Sequence, residues 1–168
     1  MRASAHRVKS PVITASEKLV VFYLFKFTTM RFVKGGRLKY YPRTASVTFT
    51  KGDLVMFTSG LVATATVQSE THLGIIQTDV TSGDSDFATA AVKVPVMIPS
   101  SPADEFEATV TGTLVTTSIG LTYDLSSASV VNQGGTTYGV VECVGFITST
   151  KGRFKLISAD SVSDPAGI

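Results

Sequence analysis

Between Val47 and Ile76 the chain reads VTFTKGDLVMFTSGLVATATVQSETHLGII, with apolar residues alternating with threonine and glycine falling where the chain must reverse. A period of two is what a strand needs when one face meets a core and the other meets water or a partner. The pattern recurs. Val47 and Phe49 share a face, as do Leu61, Ala63, Ala65 and Val67, then Val92, Val94, Val96 and Ile98, then Phe106, Ala108, Val110, Gly112 and Leu114. Thr and Val together supply 44 residues against 10 Leu, and β-branched side chains suit a pleated surface better than a helix. No ten-residue segment keeps a clean 3.6 period, so only single helical turns are expected, near 102–105 and 125–128.

Turn residues punctuate these runs at Gly35-Gly36, Lys51-Gly52-Asp53, Ser59-Gly60, Ser82-Gly83-Asp84, Gln133-Gly134-Gly135 and Lys151-Gly152. Short strands separated this densely indicate an all-β fold, a small antiparallel β-barrel or sandwich. Gly35-Gly36 reads as the turn of a hairpin between MRFVK and RLKYY. Pro95, inside VKVPVMIP, cannot donate to a ladder, so its strand is expected at a sheet edge or at a bulge. The expected organisation is a basic, aromatic-rich arm or hairpin over 1–45, a barrel domain over 46–158 and a polar tail over 159–168. Met30 opens a convincing β segment of its own, so residues 1–29 are expected to be an extension outside the core fold or the product of an upstream translation start.

The formal net charge of +2 conceals a division. Residues 1–51 hold eleven Lys or Arg against one acid, Glu17, a net of +10, while residues 52–168 hold four against twelve, a net of −8. Such asymmetry marks either a nucleic-acid arm or a charge-complementary assembly surface. Here the cations interleave with Phe22, Tyr23, Phe25, Phe27, Phe32, Tyr40 and Tyr41, whereas nucleic-acid arms are commonly polar throughout. The expected partner is therefore an acidic protein surface, including that of another copy, and not nucleic acid. No stretch approaches the roughly 20 apolar residues that span a bilayer. The longest run, residues 19–25, is followed by no small-x-small cleavage site, so neither a membrane anchor nor secretion is expected.

Residues that perform chemistry are scarce. Of the two histidines, His6 lies in the basic leader and His72 opens a strand; no G-x-S-x-G elbow accompanies them. The single cysteine, Cys143, excludes an internal disulfide and, lying beside Glu142 in an apolar strand, reads as a small buried hydrophobe. Asp79, Asp84 and Asp86 read as a solvated loop, with weak calcium binding as the sharper alternative. Asp104, Glu105 and Glu107 read as a second solvated cluster. Phosphate-binding glycine motifs are absent. No enzymatic activity, cofactor or metal is expected.

The order KGDLVMF, GLVATATV, HLGIIQTDV, AAVKVPVMIP, EFEATVTG, IGLTYDL and VVECVGFITSTKGRFKLI, running from Lys51 to Ile157, resembles the small β-barrel decoration (cement) proteins of tailed-bacteriophage capsids. The resemblance covers about two-thirds of the chain and rests on turns and core faces. It implies a non-enzymatic virion protein, made in the host cytoplasm, that binds the lattice of the major capsid protein and stabilises it, with further copies as neighbours or oligomer partners. Under that reading Arg31, Lys34, Arg37, Lys39, Tyr40, Tyr41 and Arg43 are the candidate contacts to shell or subunit, because Arg and Tyr are favoured at interface hot spots. Another virion β-module, in a tail, at a vertex or binding a receptor or carbohydrate, is the alternative.

Overall fold

Strand-forming residues fill nearly all of the regular structure. The computed structural model describes residues 29–66 and 72–157; the leading segment before Thr29, Val67 and the expected tail lie outside the described residues. Eleven strands follow in order among these residues: β1 Arg31–Lys34, β2 Arg37–Pro42, β3 Leu54–Thr58, β4 Leu61–Thr64, β5 His72–Ile76, β6 Lys93–Ile98, β7 Glu105–Thr111, β8 Thr122–Ser127, β9 Val130–Asn132, β10 Val141–Thr148 and β11 Lys151–Leu156. A single 3-10 turn, Thr116–Ser118, is the only helical element among them. The turns expected at 102–105 and 125–128 do not become helical, since β7 starts at Glu105 and β8 runs through Leu125.

The strands form two sheets. One closes into a five-strand barrel, β7-β11-β10-β8-β9, because β9 returns to pair in parallel with the second half of β7. β1 lies along the first half of that same β7 edge, with Phe32 opposite Phe106. The other sheet has the order β2-β6-β5-β3-β4, and a parallel bridge between Arg43 and Val62 draws its two outer strands together. The all-β expectation, a small barrel or sandwich, is therefore met.

Two cores result, and β3 and β5 form the wall between them. Leu54 and Ile75 point into the first, among Phe106, Leu125, Val141, Cys143 and Phe154. Val55, Leu73 and Ile76 point into the second, among Phe49, Val62, Val94, Val96 and Ile98. Every residue of β5 is buried. Each fully buried Leu, Ile, Val or Phe contributes about 1.5–3 kcal/mol, so two strands that each place side chains in both cores couple them strongly. Gly74 is needed here, because a Cβ would stand 2.2 Å from the carbonyl oxygen of Met97.

Several local expectations change for identifiable reasons. Gly35-Gly36 is not a hairpin turn: β1 belongs to one sheet and β2 to the other, and the pair of glycines, both at positive φ, carries the chain across. Residues 31–42, assigned from sequence to an arm or hairpin, are thus strands of the two sheets. β6 is not an edge strand but lies between β2 and β5. Pro95 is tolerated because the β5 ladder ends there: Ile76 faces Val96, and beyond it only the Gln77 N–H reaches the Pro95 carbonyl, at 2.9 Å. In β4 the buried residue is Val62, while Leu61 and Ala63 stay partly exposed. Lys151-Gly152 opens β11 and the reversal falls on Ser149-Thr150. Ser59-Gly60 does form the two-residue hairpin, with both residues at positive φ, 52° and 80°, as a primed turn requires.

His72, at the start of β5, is buried, and that burial lowers its pKa from 6.5 to about 4. The folded protein therefore keeps a neutral imidazole where the unfolded chain takes up a proton. Its stability contribution is complete above pH 6.5 and declines as pH falls towards 4. Urea denaturation at pH 7 and at pH 4 should show a loss of up to roughly 3 kcal/mol from this group, and His72→Gln should flatten that part of the pH dependence. An unchanged slope in the variant would mean that the imidazole titrates normally in the fold.

Candidate interaction surface

The seven residues singled out from sequence do not form one surface. Strand alternation divides them. In β2, Arg37, Lys39 and Tyr41 stand opposite Ile98, Val96 and Val94, on the side of the second core. Tyr41 packs edge-on against Phe57, ring centres 5.1 Å apart. Leu38 and Tyr40 take the other face, opposite Met97 and Pro95. Arg31 and Lys34 belong to β1, on the outside of the closed barrel.

Arg43 has left the surface altogether. It is 1% exposed, and its guanidinium donates to the carbonyls of Thr44, Phe87 and Asp86 at 3.3, 3.1 and 2.7 Å and to the Asp86 carboxylate at 3.3 Å. Its backbone meanwhile donates to Val92 and accepts from Ala91. The planar, multi-donor head of arginine suits this clasp, which fastens the 84–91 loop over the point where the second sheet draws together.

Much of the charge division is resolved inside the chain. Arg31 reaches Glu107 at 3.0 Å, Lys34 reaches Glu105 at 3.5 Å and Arg43 reaches Asp86 at 3.3 Å, each pairing a cation from the basic third with an acid from the remainder. Lys151 joins Glu107 at 2.9 Å, and Lys155 pairs with Glu142 at 3.0 Å. Partial burial pushes the Glu107 carboxyl upward, but Lys151 and Arg31 outweigh it and hold the group below its usual range. Apart from that of the buried Arg43, these pairs lie on the surface between neighbouring strands and contribute little individually, typically below about 1 kcal/mol; they fix cross-strand register more than they stabilise.

The acidic clusters also have structural employment. Asp104, expected in a solvated cluster, is buried and accepts the N–H groups of Gly36, Ser100 and Ser101 at 2.8, 2.5 and 3.2 Å. A side chain at Gly35 would collide with that carboxylate, its Cβ only 2.0 Å from Oδ1. Asp79 accepts from Lys51 N–H and Asp84 from Thr81 N–H, while Asp86 receives Arg43. Among the described residues no group of three or more His, Cys, Asp or Glu is arranged to hold a metal ion. Cys143 is buried, and burial raises its pKa, the behaviour of a small core residue.

An apolar strip on β2 and β6 also faces outward. Tyr40 is 61% and Leu38 49% exposed, with Pro95 and Met97 beside them as half-buried cross-strand neighbours. The sequence reading found Tyr40 but not Leu38, Pro95 or Met97. The alternation within RLKYYP separates Leu38 and Tyr40 from Lys39 and Tyr41 and was the available signal. The chain matches no protein-family model and no curated protein.

Replacing the clasp tests the internal role of Arg43. Arg43→Met removes the donors to three carbonyls and the partner of Asp86, and it should lower the unfolding free energy by about 3 kcal/mol and speed proteolysis in 84–91. Arg43→Lys should recover only part of that loss. A change below about 0.5 kcal/mol in urea would contradict the clasp.

Proposed function

We propose that the protein is a non-enzymatic structural component of a tailed-phage virion that binds the assembled capsid shell as a decoration or cement protein. The observation that carries this reading is the exposed Leu38–Tyr40 strip, because the opposite face of the same two-strand ladder is a packed core. A rigid scaffold holding an aromatic and an aliphatic side chain outward loses little conformational freedom on docking, and Tyr is among the residue types that dominate binding energy. Support also comes from the segments that carry the family resemblance. KGDLVMF, GLVATATV, HLGIIQTDV, AAVKVPVMIP, EFEATVTG and IGLTYDL correspond to β3 to β8 in turn, and the final segment to β10 and β11.

The mechanism is linkage. A protein that binds the assembled lattice and not the free subunits stabilises assembly by RT ln(1 + [L]/Kd). Catalysis is not involved; what matters is copy number, affinity and stiffness. Arg31 and Lys34, already engaged by Glu107 and Glu105, contribute to such a contact by orientation of a mixed-charge surface more than by net charge. The shell residues that meet the strip would be apolar, since Leu38, Tyr40, Pro95 and Met97 offer few polar atoms.

Purified particles supply the test. The protein should be present in copies comparable to the major shell protein, and particles stripped of it should lose heat and low-salt tolerance. Tyr40→Ala should weaken rebinding at least roughly tenfold while the melting temperature of the isolated protein stays unchanged. A few copies per particle would favour a vertex or tail role, and unaltered rebinding by Tyr40→Ala would remove the strip from the contact.

A further inference from the structure

The outer face of the closed barrel carries a ladder of ion pairs that lacks one rung. Across β1, β7, β11 and β10, Arg31 stands opposite Glu107, Glu107 opposite Arg153, and Arg153 opposite Gly145. Directly paired residues share a face, and their strand neighbours Phe106, Phe154 and Cys143 point into the core, so this row lies outside. Lys34 with Glu105 and Lys155 with Glu142 belong to the same outer face. The acids of these four strands are all engaged: Glu105 by Lys34, Glu107 by Arg31 and Lys151, and Glu142 by Lys155. The remaining cation is Arg153. It is exposed, and no acid or carbonyl among the described residues meets its guanidinium.

Two local features open the space beside Arg153. A register shift in β10 between Cys143 and Gly145 brings glycine, not Val144, opposite Arg153, the kind of irregularity that re-aims a side chain. The Arg153 stem leans over that glycine: its Cβ, Cδ and Cγ lie 3.4, 3.5 and 3.7 Å from where a Cβ on Gly145 would stand. The guanidinium is thereby carried away from Glu107, whose carboxylate is already shared by two cations. Lys155, by contrast, meets an acid directly opposite on β10, at Glu142. At Gly145 the strand supplies no side chain. We propose that the acid missing from this position comes from outside, as a carboxylate of the shell protein that lies over Gly145 and pairs with Arg153. A planar guanidinium held on a rigid sheet matches a carboxylate with two parallel hydrogen bonds. A phosphate backbone is a poorer occupant, since it would also run past Glu105, Glu107 and Glu142, whereas a single side chain need meet only Arg153. The contact rests on the capsid reading. It is separate from the Leu38–Tyr40 strip, being polar and carried by the closed barrel.

Rebinding to stripped particles tests it, with the isolated protein as control. Arg153→Gln should weaken rebinding at least roughly tenfold and flatten its dependence on salt, while the melting temperature stays unchanged because no internal bond is lost. Arg153→Lys, which keeps the charge but not the paired donors, should recover part of the affinity. Gly145→Glu supplies the acid from within the chain. It should protect the Arg153 Nε–H from exchange with water in NMR spectra of the isolated protein and block rebinding as fully as Arg153→Gln does. Should Gly145→Glu unfold the chain, Arg153→Glu, at an exposed position, carries the test. Rebinding by Arg153→Gln and Arg153→Glu that equals wild type at low and high salt overturns the proposal, as does a protected Arg153 in Gly145→Glu with unaltered rebinding. So does tight capture of a single-stranded DNA oligonucleotide that is lost in Arg153→Gln, since the occupant would then be a phosphate backbone. Loss of rebinding in Tyr40→Ala but not in Arg153→Gln removes this contact and leaves the capsid reading standing; wild type that binds no particle removes both.

Discussion

Burying a strand on both faces demands apolar side chains on alternate and adjacent positions alike and a hydrogen-bonded neighbour on each edge. β5 meets these demands with Leu73, Ile75 and Ile76, between β3 and β6. Because Ile75 faces one core and Leu73 and Ile76 the other, neither core can lose this strand without opening its neighbour. β3 repeats the arrangement with Leu54 and Val55. The position of Gly74 follows from the same crowding, since the backbone of β6 occupies the space a side chain would need. The rest of the structure is arranged around this wall: the closed barrel on one side, the second sheet drawn together through Arg43 and Val62 on the other.

Polar residues hold the connections that such a wall makes necessary. Asp104 gathers three backbone N–H groups where the chain crosses between sheets at Gly35-Gly36. Asp124 does the same for Thr137, Tyr138 and Gly139, at 3.0, 2.8 and 2.8 Å. Buried carboxylates are tolerable only when so satisfied. Arg43 is the cationic counterpart, spending its donors on loop carbonyls. A division of charge along the sequence that suggested an external partner is thus partly an internal one, folded back on itself through Arg31, Lys34 and Arg43.

The period of two made the strands of β6 and β7 legible in advance, with Val94, Val96, Ile98, Phe106, Ala108 and Val110 all buried as their spacing indicated. The Ser59-Gly60 hairpin and the core role of Cys143 were equally readable, because each depends on local chemistry. Pairing between distant strands was not. Nothing local to Gly35-Gly36 distinguishes a hairpin from a crossover, since both ask for positive φ. Pro95 misled because its effect depends on where the neighbouring ladder stops, which is a property of β5 and not of β6. HLGII carried a signal that alternation alone does not interpret: an apolar run without a polar face indicates a strand covered on both sides. At the candidate surface, composition drew attention to the cations, while strand alternation turned Tyr41 inward and left Leu38 and Tyr40 outside.

A stiff scaffold with an outward apolar strip suits a mechanical role, and the stiffness rests on the shared wall. Native-state hydrogen exchange measures that coupling most directly. The amides of Leu73 and Ile75 in β5, Val96 in the second sheet and Phe154 in the closed barrel should all exchange only through global unfolding, with one common free energy equal to that from denaturant. If Val96 and Phe154 instead fall into two classes separated by more than about 2 kcal/mol, the two cores unfold independently and β5 does not join them.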